Sequence, residues 1–192
     1  MNPTSNTQED DRLIRQTLAG ELSAFESLIG KYQNRLFHSM TQVLRNSTDA
    51  EDVVQDAFVK AFTKLSTFRG GSQFYTWLYR IAHNSAISQI RKRKPTESLD
   101  HDGGMAAATL EGQHVSPSQR LERQEENRQL SDALNRLKEE QRSVLVLREM
   151  EGLDYDAIAE ILDVPVGTVR SRLHRARAQL KEELEREFTD TE

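Results

Sequence analysis

Apolar residues recur every three or four positions through the first half of the chain, which is the period of an amphipathic helix. One stripe covers residues 25–44 and a second covers 50–65, after a polar break at 46–48 that suits the capping of a new helix. A third helix is predicted from about residue 73 to 94, between the glycine-containing loop 68–72 and Pro95. The stripes place Phe58 and Phe62 in the predicted core.

The helical period is lost at residues 95–120, where glycine, serine and proline interrupt a polar stretch that we interpret as a flexible linker. It resumes at Leu121, and after Gly152 it predicts two helices, 155–162 and 168–188, joined by a tight turn. Asp154 is the expected N-cap of the first of these. The sequence therefore predicts an all-α protein made of two small helical domains.

The predicted domain boundaries follow from these breaks. They are a flexible amino terminus at 1–11, a first domain at 12–94, the linker at 95–120, a second domain at 121–187 and a tail at 188–192.

Composition excludes several classes of site. The chain has no cysteine, so disulfides and thiolate metal sites are ruled out. Its polar, acidic amino terminus does not resemble a secretory signal, and no apolar run approaches the roughly 20 residues that cross a bilayer. We expect a cytoplasmic protein without membrane insertion.

The charge is unevenly distributed. The net charge is −5, yet residues 57–96 and 164–180 contain no acidic residue while they hold many lysines and arginines. Two basic surfaces on an acidic protein indicate that nucleic acid is a partner.

The second basic window has the pattern of a helix-turn-helix. Apolar residues of helix 155–162 are expected to pack against Val169 and Leu173 of the next helix. The remaining face of that helix presents a polar and basic set: Thr168, Arg170, Ser171, Arg172, His174, Arg175 and Arg177. Arginines on such a helix read guanine in the major groove and hold phosphates. A solvated charged face is the alternative, but such faces usually mix signs, as residues 181–187 do.

The first basic window is also rich in aromatic residues. Seven of the twelve aromatic residues fall between positions 58 and 79. Rings interleaved with cations suit single-stranded DNA, because bases stack on the rings. One helix face carries four apolar side chains that must be partly buried: Phe74, Trp77, Leu78 and Ile81. Tyr75, Tyr79 and the loop residue Phe68 lie off that face, and the pattern leaves open whether they are core or contact DNA.

An acidic stripe precedes this window. Asp49, Asp52 and Asp56 share one side of the second predicted helix, with Glu51 and Gln55 beside them. A solvated face, or helix-start acids favoured by the macrodipole, is the usual explanation. Because Asp56 lies beyond the first turn, the dipole does not account for it, and a docking face for a basic partner remains an alternative.

Three stretches together resemble the sigma-70 family of RNA polymerase sigma factors, in its extracytoplasmic-function (ECF) group. They are DAEDVVQDAFVKAF, FRGGSQFYTWLYRIAHNSAISQIRKRK and LREMEGLDYDAIAEILDVPVGTVRSRLHRARAQLK. The resemblance implies a sigma region 2 helical bundle in the first domain and a sigma region 4 helix-turn-helix, over about 155–175, in the second. It implies a factor that binds core RNA polymerase, directs it to promoters and assists DNA melting.

The resemblance also implies roles for individual residues. The helix at about 52–65 would contact the clamp helices of the largest polymerase subunit, through Asp49, Glu51, Asp52, Gln55 and Asp56. Residues at about 66–94 would recognise and melt the −10 element, with an unstacked base captured near Phe68 and Asn84; the full set is Phe68, Arg69, Tyr75, Trp77, Tyr79, Arg80, Asn84, Arg91 and Lys92. The polar and basic set of the helix-turn-helix would read the −35 element.

The implied partners are core polymerase, promoter DNA in double- and single-stranded form, and a specific anti-sigma factor. No cofactor or metal is expected. A polymerase-independent helix-turn-helix regulator is the alternative, although it explains only the second half of the chain. An enzyme is not expected, because the chain has no phosphate-binding glycine loop, no G-x-S-x-G and no H-E-x-x-H. Its E-x-x-H at Glu111 and His114 falls in the predicted linker.

Overall fold

The computed structural model describes residues 3–93 and 128–189, which are helical apart from short turns and contain no strand. The amino-terminal half holds α1 (Pro3–Leu18), α2 (Leu22–Leu44), α3 (Ser47–Lys64), a 3-10 turn (Leu65–Thr67) and α4 (Phe74–Arg93). The carboxy-terminal half holds α5 (128–136), α6 (Glu139–Leu145) continuing into a π-helical turn (Val146–Met150), α7 (Tyr155–Leu162) and α8 (Val166–Thr189). The predicted linker at 95–120 lies outside the described residues.

The predicted N-cap at Asp154 is confirmed, and the cap expected within 46–48 is Asn46. The side chain of Asn46 accepts a hydrogen bond from the backbone N–H of Asp49 at 3.0 Å, and Asp154 accepts one from Ala157 at 2.8 Å. Each satisfies one of the amide groups that a helix start leaves without an intrahelical acceptor. Gly152 has a φ of +67°, which side chains rarely tolerate, and so lets the chain leave the π-helical turn and enter α7.

The amino terminus differs from the prediction of a flexible segment at 1–11, because residues 3–11 belong to α1. Asp10 is buried and accepts hydrogen bonds from the Lys31 ammonium and the Tyr32 hydroxyl of α2. A buried carboxylate with two donors is compensated for its lost hydration. These bonds attach α1 to α2.

The amino-terminal core forms where α2, α3 and α4 meet. Leu28, Leu36 and Met40 of α2 and Leu78 of α4 are fully buried in it. The helix between them, α3, contributes small buried residues such as Ala57, which let its backbone approach both neighbours closely. Each fully buried leucine contributes roughly 1.5–3 kcal/mol to folding.

The predicted packing of the helix-turn-helix is confirmed, since Ile158, Val169 and Leu173 are buried in the contact between α7 and α8. The second helix begins at Val166, two residues before the predicted start, because the carbonyl of Pro165 accepts from the N–H groups of Thr168 and Val169. Helix α7 ends where Asp163 adopts a left-handed conformation.

The two halves pack against each other, which the sequence did not predict. Helix α4 contacts α7, and α2 contacts both α6 and the π-helical turn. Buried apolar residues of both halves form one continuous cluster. None of the helices within 3–93 and 128–189 is long and apolar enough to cross a membrane.

Candidate functional site

The acidic face of α3 consists of Glu51, Asp52, Gln55 and Asp56, and all four side chains are exposed. Asp56 lies 3.5 Å from the Lys60 ammonium one helical turn away, an exposed pair that contributes little to stability. These residues therefore stand at the surface, as the prediction of a docking face requires.

Asp49 differs from its predicted place on that face. Its side chain is buried and accepts a hydrogen bond from the Gln89 amide of α4 at 3.0 Å. At the first turn of α3 the helix side that carries Asp49 turns toward α4, so its carboxylate joins two helices and does not face solvent.

An apolar groove of about 870 Å³ adjoins the acidic face, between α2 and α3. Its walls include Phe25, Val54 and Phe58, and Glu51 and Gln55 stand at its rim. Val59 and Phe62 reach into it with 62% and 44% of their surface exposed.

Phe62 was predicted to be core, and that prediction is wrong. Its ring meets Phe25 edge-on at 5.0 Å, but its outer side faces solvent. Val59 was not among the predicted site residues. The signal was available, because Val59 lies off the buried stripe of α3 and is an apolar residue on an otherwise polar face.

Tyr75 and Tyr79, two candidate −10 residues, are buried. The ring of Tyr75 stacks on Tyr32 at 5.2 Å, and the Arg35 guanidinium lies 4.2 Å from its centre. Burial, together with the nearby Glu151 carboxylate, raises the pKa of both tyrosine hydroxyls far above the ordinary range. The sequence pattern left open whether these two tyrosines are core residues or contact DNA, and in this structure both are core residues.

Phe68 and Trp77 remain partly accessible and form an aromatic platform with their rings 5.2 Å apart. Phe74 supports this platform from the core, edge-on to Phe68 at 5.9 Å. Arg69 is exposed beside the platform, and Gly70 follows it with a φ of +71° that bends the loop. Rings with a cation beside them are suited to stacking an unpaired base.

A polar groove of about 670 Å³ lies between α3 and α4. Asn84, Ser85 and Lys92 line one wall, and Lys60 and Lys64 line the other, with the Lys60 ammonium donating to the Ser85 hydroxyl at 2.9 Å. Arg91 is exposed nearby. The carboxylates of Asp52 and Asp56 also line the groove, so its amide, hydroxyl and ammonium groups, which can bind bases and phosphates, lie beside acidic ones.

Arg80, another candidate −10 residue, faces the carboxy-terminal half. Its guanidinium lies 3.9 Å from the Glu160 carboxylate of α7, and both side chains are partly exposed.

The −35 candidates lie along the first half of α8. Arg170, His174 and Arg175 are exposed, whereas Thr168 and Ser171 are half-buried, the Ser171 hydroxyl donating to the Thr168 carbonyl. The guanidinium of Arg170 lies 5.9 Å from the ring centre of Tyr155.

Two further −35 candidates already have acidic partners within the carboxy-terminal half. Arg172 lies 3.0 Å from Glu140, and Arg177 donates to Glu149 at 2.6 Å, which raises the pKa of that guanidinium. Arg170, His174 and Arg175 are therefore the most accessible for DNA.

No group of three metal-ligating side chains comes together among the described residues. The E-x-x-H of Glu111 and His114 lies outside them. His83 is buried against Ser143, and burial lowers its pKa to about 4.

Comparison with known proteins gives two family matches. Residues 28–96 match sigma-70 region 2, and residues 127–180 match sigma-70 region 4. The two matches fall on the two packed halves of the molecule.

Relatives match over nearly their whole lengths. The chain is 38% identical over 185 residues to the RNA polymerase sigma-H factor of Pseudomonas aeruginosa, covering 93% of this chain and 95% of the relative. It is 39% identical over 176 residues to the ECF RNA polymerase sigma-E factor of Escherichia coli K12, covering 88% and 90%. A crystal structure of the sigma factor RpoE with the anti-sigma factor NepR, from Bartonella quintana, matches with a TM-score of 0.68 and 28% identity over 84% of this chain and 96% of that one.

Proposed function

The chain belongs to the sigma-70 family of RNA polymerase sigma factors, in its extracytoplasmic-function group, and from this premise we propose how its surfaces divide the work of initiation. It binds core RNA polymerase and directs it to promoters. Binding and positioning, with no catalysis by this chain, are all that the role requires. The proposed domains are region 2 over 12–94 and region 4 over 121–187.

The proposed polymerase contact is the acidic face of α3 together with the apolar groove beside it. The observation that carries this assignment is the juxtaposition of four exposed polar residues with exposed Val59 and Phe62. An apolar patch rimmed by charge is the usual composition of a protein interface. The groove would bury apolar side chains of the clamp helices, while Asp52 and Asp56 would meet their basic residues.

The proposed −10 contact is the Phe68–Trp77 platform and the polar groove that holds Asn84. Melting costs about 1.4 kcal/mol per base-pair step, so a bubble of about ten pairs costs on the order of 14 kcal/mol. Stacking returns roughly 1–3 kcal/mol per base. Two accessible rings cannot hold such a bubble open alone, which is why the chain must act on the polymerase.

The proposed −35 contact is the first half of α8, with Arg170, His174 and Arg175 as its exposed readers. The N-terminal part of a recognition helix points at base edges in the major groove. Arg172 and Arg177, which are held by acidic neighbours, would supply phosphate contacts.

A specific anti-sigma factor is a further proposed partner, because the structurally similar RpoE is bound to the anti-sigma factor NepR. We place the protein in the cytoplasm, where polymerase and promoter DNA are found.

Reconstituted transcription tests the proposal. Core polymerase stripped of its own sigma factor is mixed with the purified chain and with genomic DNA fragments, and transcript starts are mapped. Discrete starts that depend on the chain are expected, and an equal amount of heat-denatured chain is the control. Random starts, or none, from a chain that co-purifies with polymerase would overturn the promoter assignment.

A further inference from the structure

We propose that Tyr32 of α2, held by Asp10 of α1, is a positioning residue for the proposed −10 contact. Through the buried ring of Phe74 it fixes the Phe68–Trp77 platform, and it contacts no DNA itself. The purpose of the platform rests on the proposed function, whereas the dependence of the platform on Tyr32 rests on the contacts alone. Helix α1 thereby takes part in base capture without contacting a base.

The hydroxyl of Tyr32 is fixed by a buried carboxylate. It donates to Asp10 at 2.5 Å, and the Lys31 ammonium donates to the other oxygen of that carboxylate at 2.6 Å. Asp10 and Tyr32 are both buried. Without this acceptor the buried hydroxyl would be left unsatisfied, which costs more than an ordinary hydrogen bond contributes. The ring of Tyr32 therefore has one favoured position, between α1 and the first turn of α4.

That ring position is passed on to the platform by α4. The ring centre of Tyr32 lies 5.8 Å from that of Phe74 and 5.2 Å from that of Tyr75, on which it stacks. Phe74 is buried and touches both rings of the platform, edge-on to Phe68 and tilted against Trp77, each at 5.9 Å. Because a close-packed interior transmits displacement, a shift of the Tyr32 ring moves Phe74 and with it the support of the platform.

Helix α1 also supports the platform along the backbone. It packs against the 3-10 turn Leu65–Thr67, in which Leu65 is buried. The backbone N–H of Phe68 donates to the Leu65 carbonyl at 3.1 Å, so the loop that carries the platform begins on this turn. Both rings therefore depend on contacts that start at α1: Phe68 through the turn, and Trp77 through Phe74.

The emission of Trp77 tests this dependence directly, because the chain has no other tryptophan. Emission spectra and acrylamide quenching are measured on the free full-length chain. Tyr32→Leu should shift the emission to longer wavelength and raise the quenching constant, because the support of the platform is then loosened. Asp10→Ala and Tyr32→Phe keep an aromatic ring at position 32 and remove its anchor. They should change both quantities in the same direction and by less.

Two variants are matched controls. Asp11→Ala makes the same substitution at the next position of α1, where the side chain is exposed. Met40→Ala opens a cavity in the same core, roughly 12 Å from Tyr32 along the axis of α2, and so destabilises the fold away from the platform. Both should leave the Trp77 emission unchanged. Circular dichroism verifies that each variant is folded, and Tyr32→Phe carries the test if Tyr32→Leu does not fold.

Permanganate reactivity of unpaired thymines tests the consequence for DNA. Each variant is bound to core polymerase at a promoter where the wild type starts transcription. Tyr32→Leu should lower the open fraction by roughly tenfold, which corresponds to the loss of stacking on one base. Its affinity for core polymerase should be unchanged, because the acidic face of α3 is not altered. Asp11→Ala and Met40→Ala should open the promoter as the wild type does.

Unchanged Trp77 emission in folded Tyr32→Leu, or an equal change in folded Met40→Ala, would show that Tyr32 has only a core role and would overturn the proposal. Altered emission with normal promoter opening would overturn the link between the platform and base capture. A wild type that starts transcription at no discrete site would instead refute the proposed function. The emission result would still decide whether Tyr32 positions the platform.

Discussion

The faces of α3 and α4 lie on neighbouring helices but differ in accessibility. The α3 face presents Asp52, Asp56 and Val59 to solvent, whereas α4 buries Tyr75 and Tyr79. The sequence pattern left open whether Tyr75 and Tyr79 are core residues or contact DNA. The difference shows that charge does not decide accessibility, because part of α4 is covered by α2 and by the carboxy-terminal half.

The largest effect expected concerns buried His83 of α4. Burial lowers the pKa of His83 to about 4, below its ordinary value of 6.5. As the pH falls, His83 is therefore protonated in the unfolded chain before it is protonated in the folded chain, which favours unfolding. The destabilisation is absent above about pH 6.5, grows as pH falls, and reaches about 3 kcal/mol near pH 4. Urea unfolding between pH 7 and 4 measures it.

The variant His83→Gln isolates this contribution from the carboxylates that titrate in the same range. Between pH 7 and 4, its free energy of unfolding should fall by less than that of the wild type, with a difference of up to about 3 kcal/mol. Identical pH profiles for the two proteins would show that His83 of α4 is not buried.

Charge reversal tests the open side of the comparison. Asp52→Lys with Asp56→Lys should weaken binding to core polymerase by roughly 30-fold, about 2 kcal/mol, because a basic partner would then meet like charge. Fluorescence anisotropy with labelled protein measures the affinity. Asp11→Lys with Glu182→Lys makes the same net change at exposed sites elsewhere. Equal affinities for the two double variants would refute the docking assignment.

An exposed arginine of α8 should contribute more to selective −35 binding than an arginine that is paired with a carboxylate of the same chain. Arg175→Ala is expected to weaken −35 binding by roughly tenfold, within the 1–3 kcal/mol typical of a base contact, and to relax selectivity at one position. Arg177→Ala, which removes the partner of Glu149, should reduce affinity without changing selectivity. Band-shift assays on DNA with single-base changes in the −35 element distinguish the two variants. Unchanged selectivity in Arg175→Ala would show that Arg175 does not contact a base.

The smallest effect is expected when one hydroxyl is removed from the buried side of α4. Tyr79→Phe keeps the fully buried ring and removes only the hydroxyl. The free energy of unfolding should change by no more than about 1 kcal/mol, with transcription retained. If the fold is unchanged but melting of promoter DNA is lost, as followed by permanganate reactivity, Tyr79 contacts DNA after all.

Local features of the fold were predictable from sequence because their causes are local. The caps at Asn46 and Asp154 depend on a side chain and an amide three residues away. The helical stripes follow from a repeat of three and four.

The residues whose burial was predicted wrongly are those whose environment depends on tertiary contacts, which the spacing of apolar residues does not reveal. Asp49 was assigned to the surface, but Gln89, forty positions later, makes it internal. Phe62 has the spacing of a core residue, yet none of the helices within 3–93 and 128–189 covers its outer side. Glu151 lies in a stretch that carries the family resemblance, but its burial could not be predicted because its partner Arg35 lies 116 positions earlier.

One measurement tests the central claim, that the acidic face of α3 brings polymerase to promoters. Core polymerase stripped of its own sigma factor is mixed with genomic DNA fragments and with the wild-type chain, the Asp52→Lys, Asp56→Lys variant or the Asp11→Lys, Glu182→Lys control, and transcript starts are mapped. We predict discrete starts with the wild type and the control, and few with the Asp52→Lys, Asp56→Lys variant. Discrete starts at wild-type levels from that variant would contradict this account.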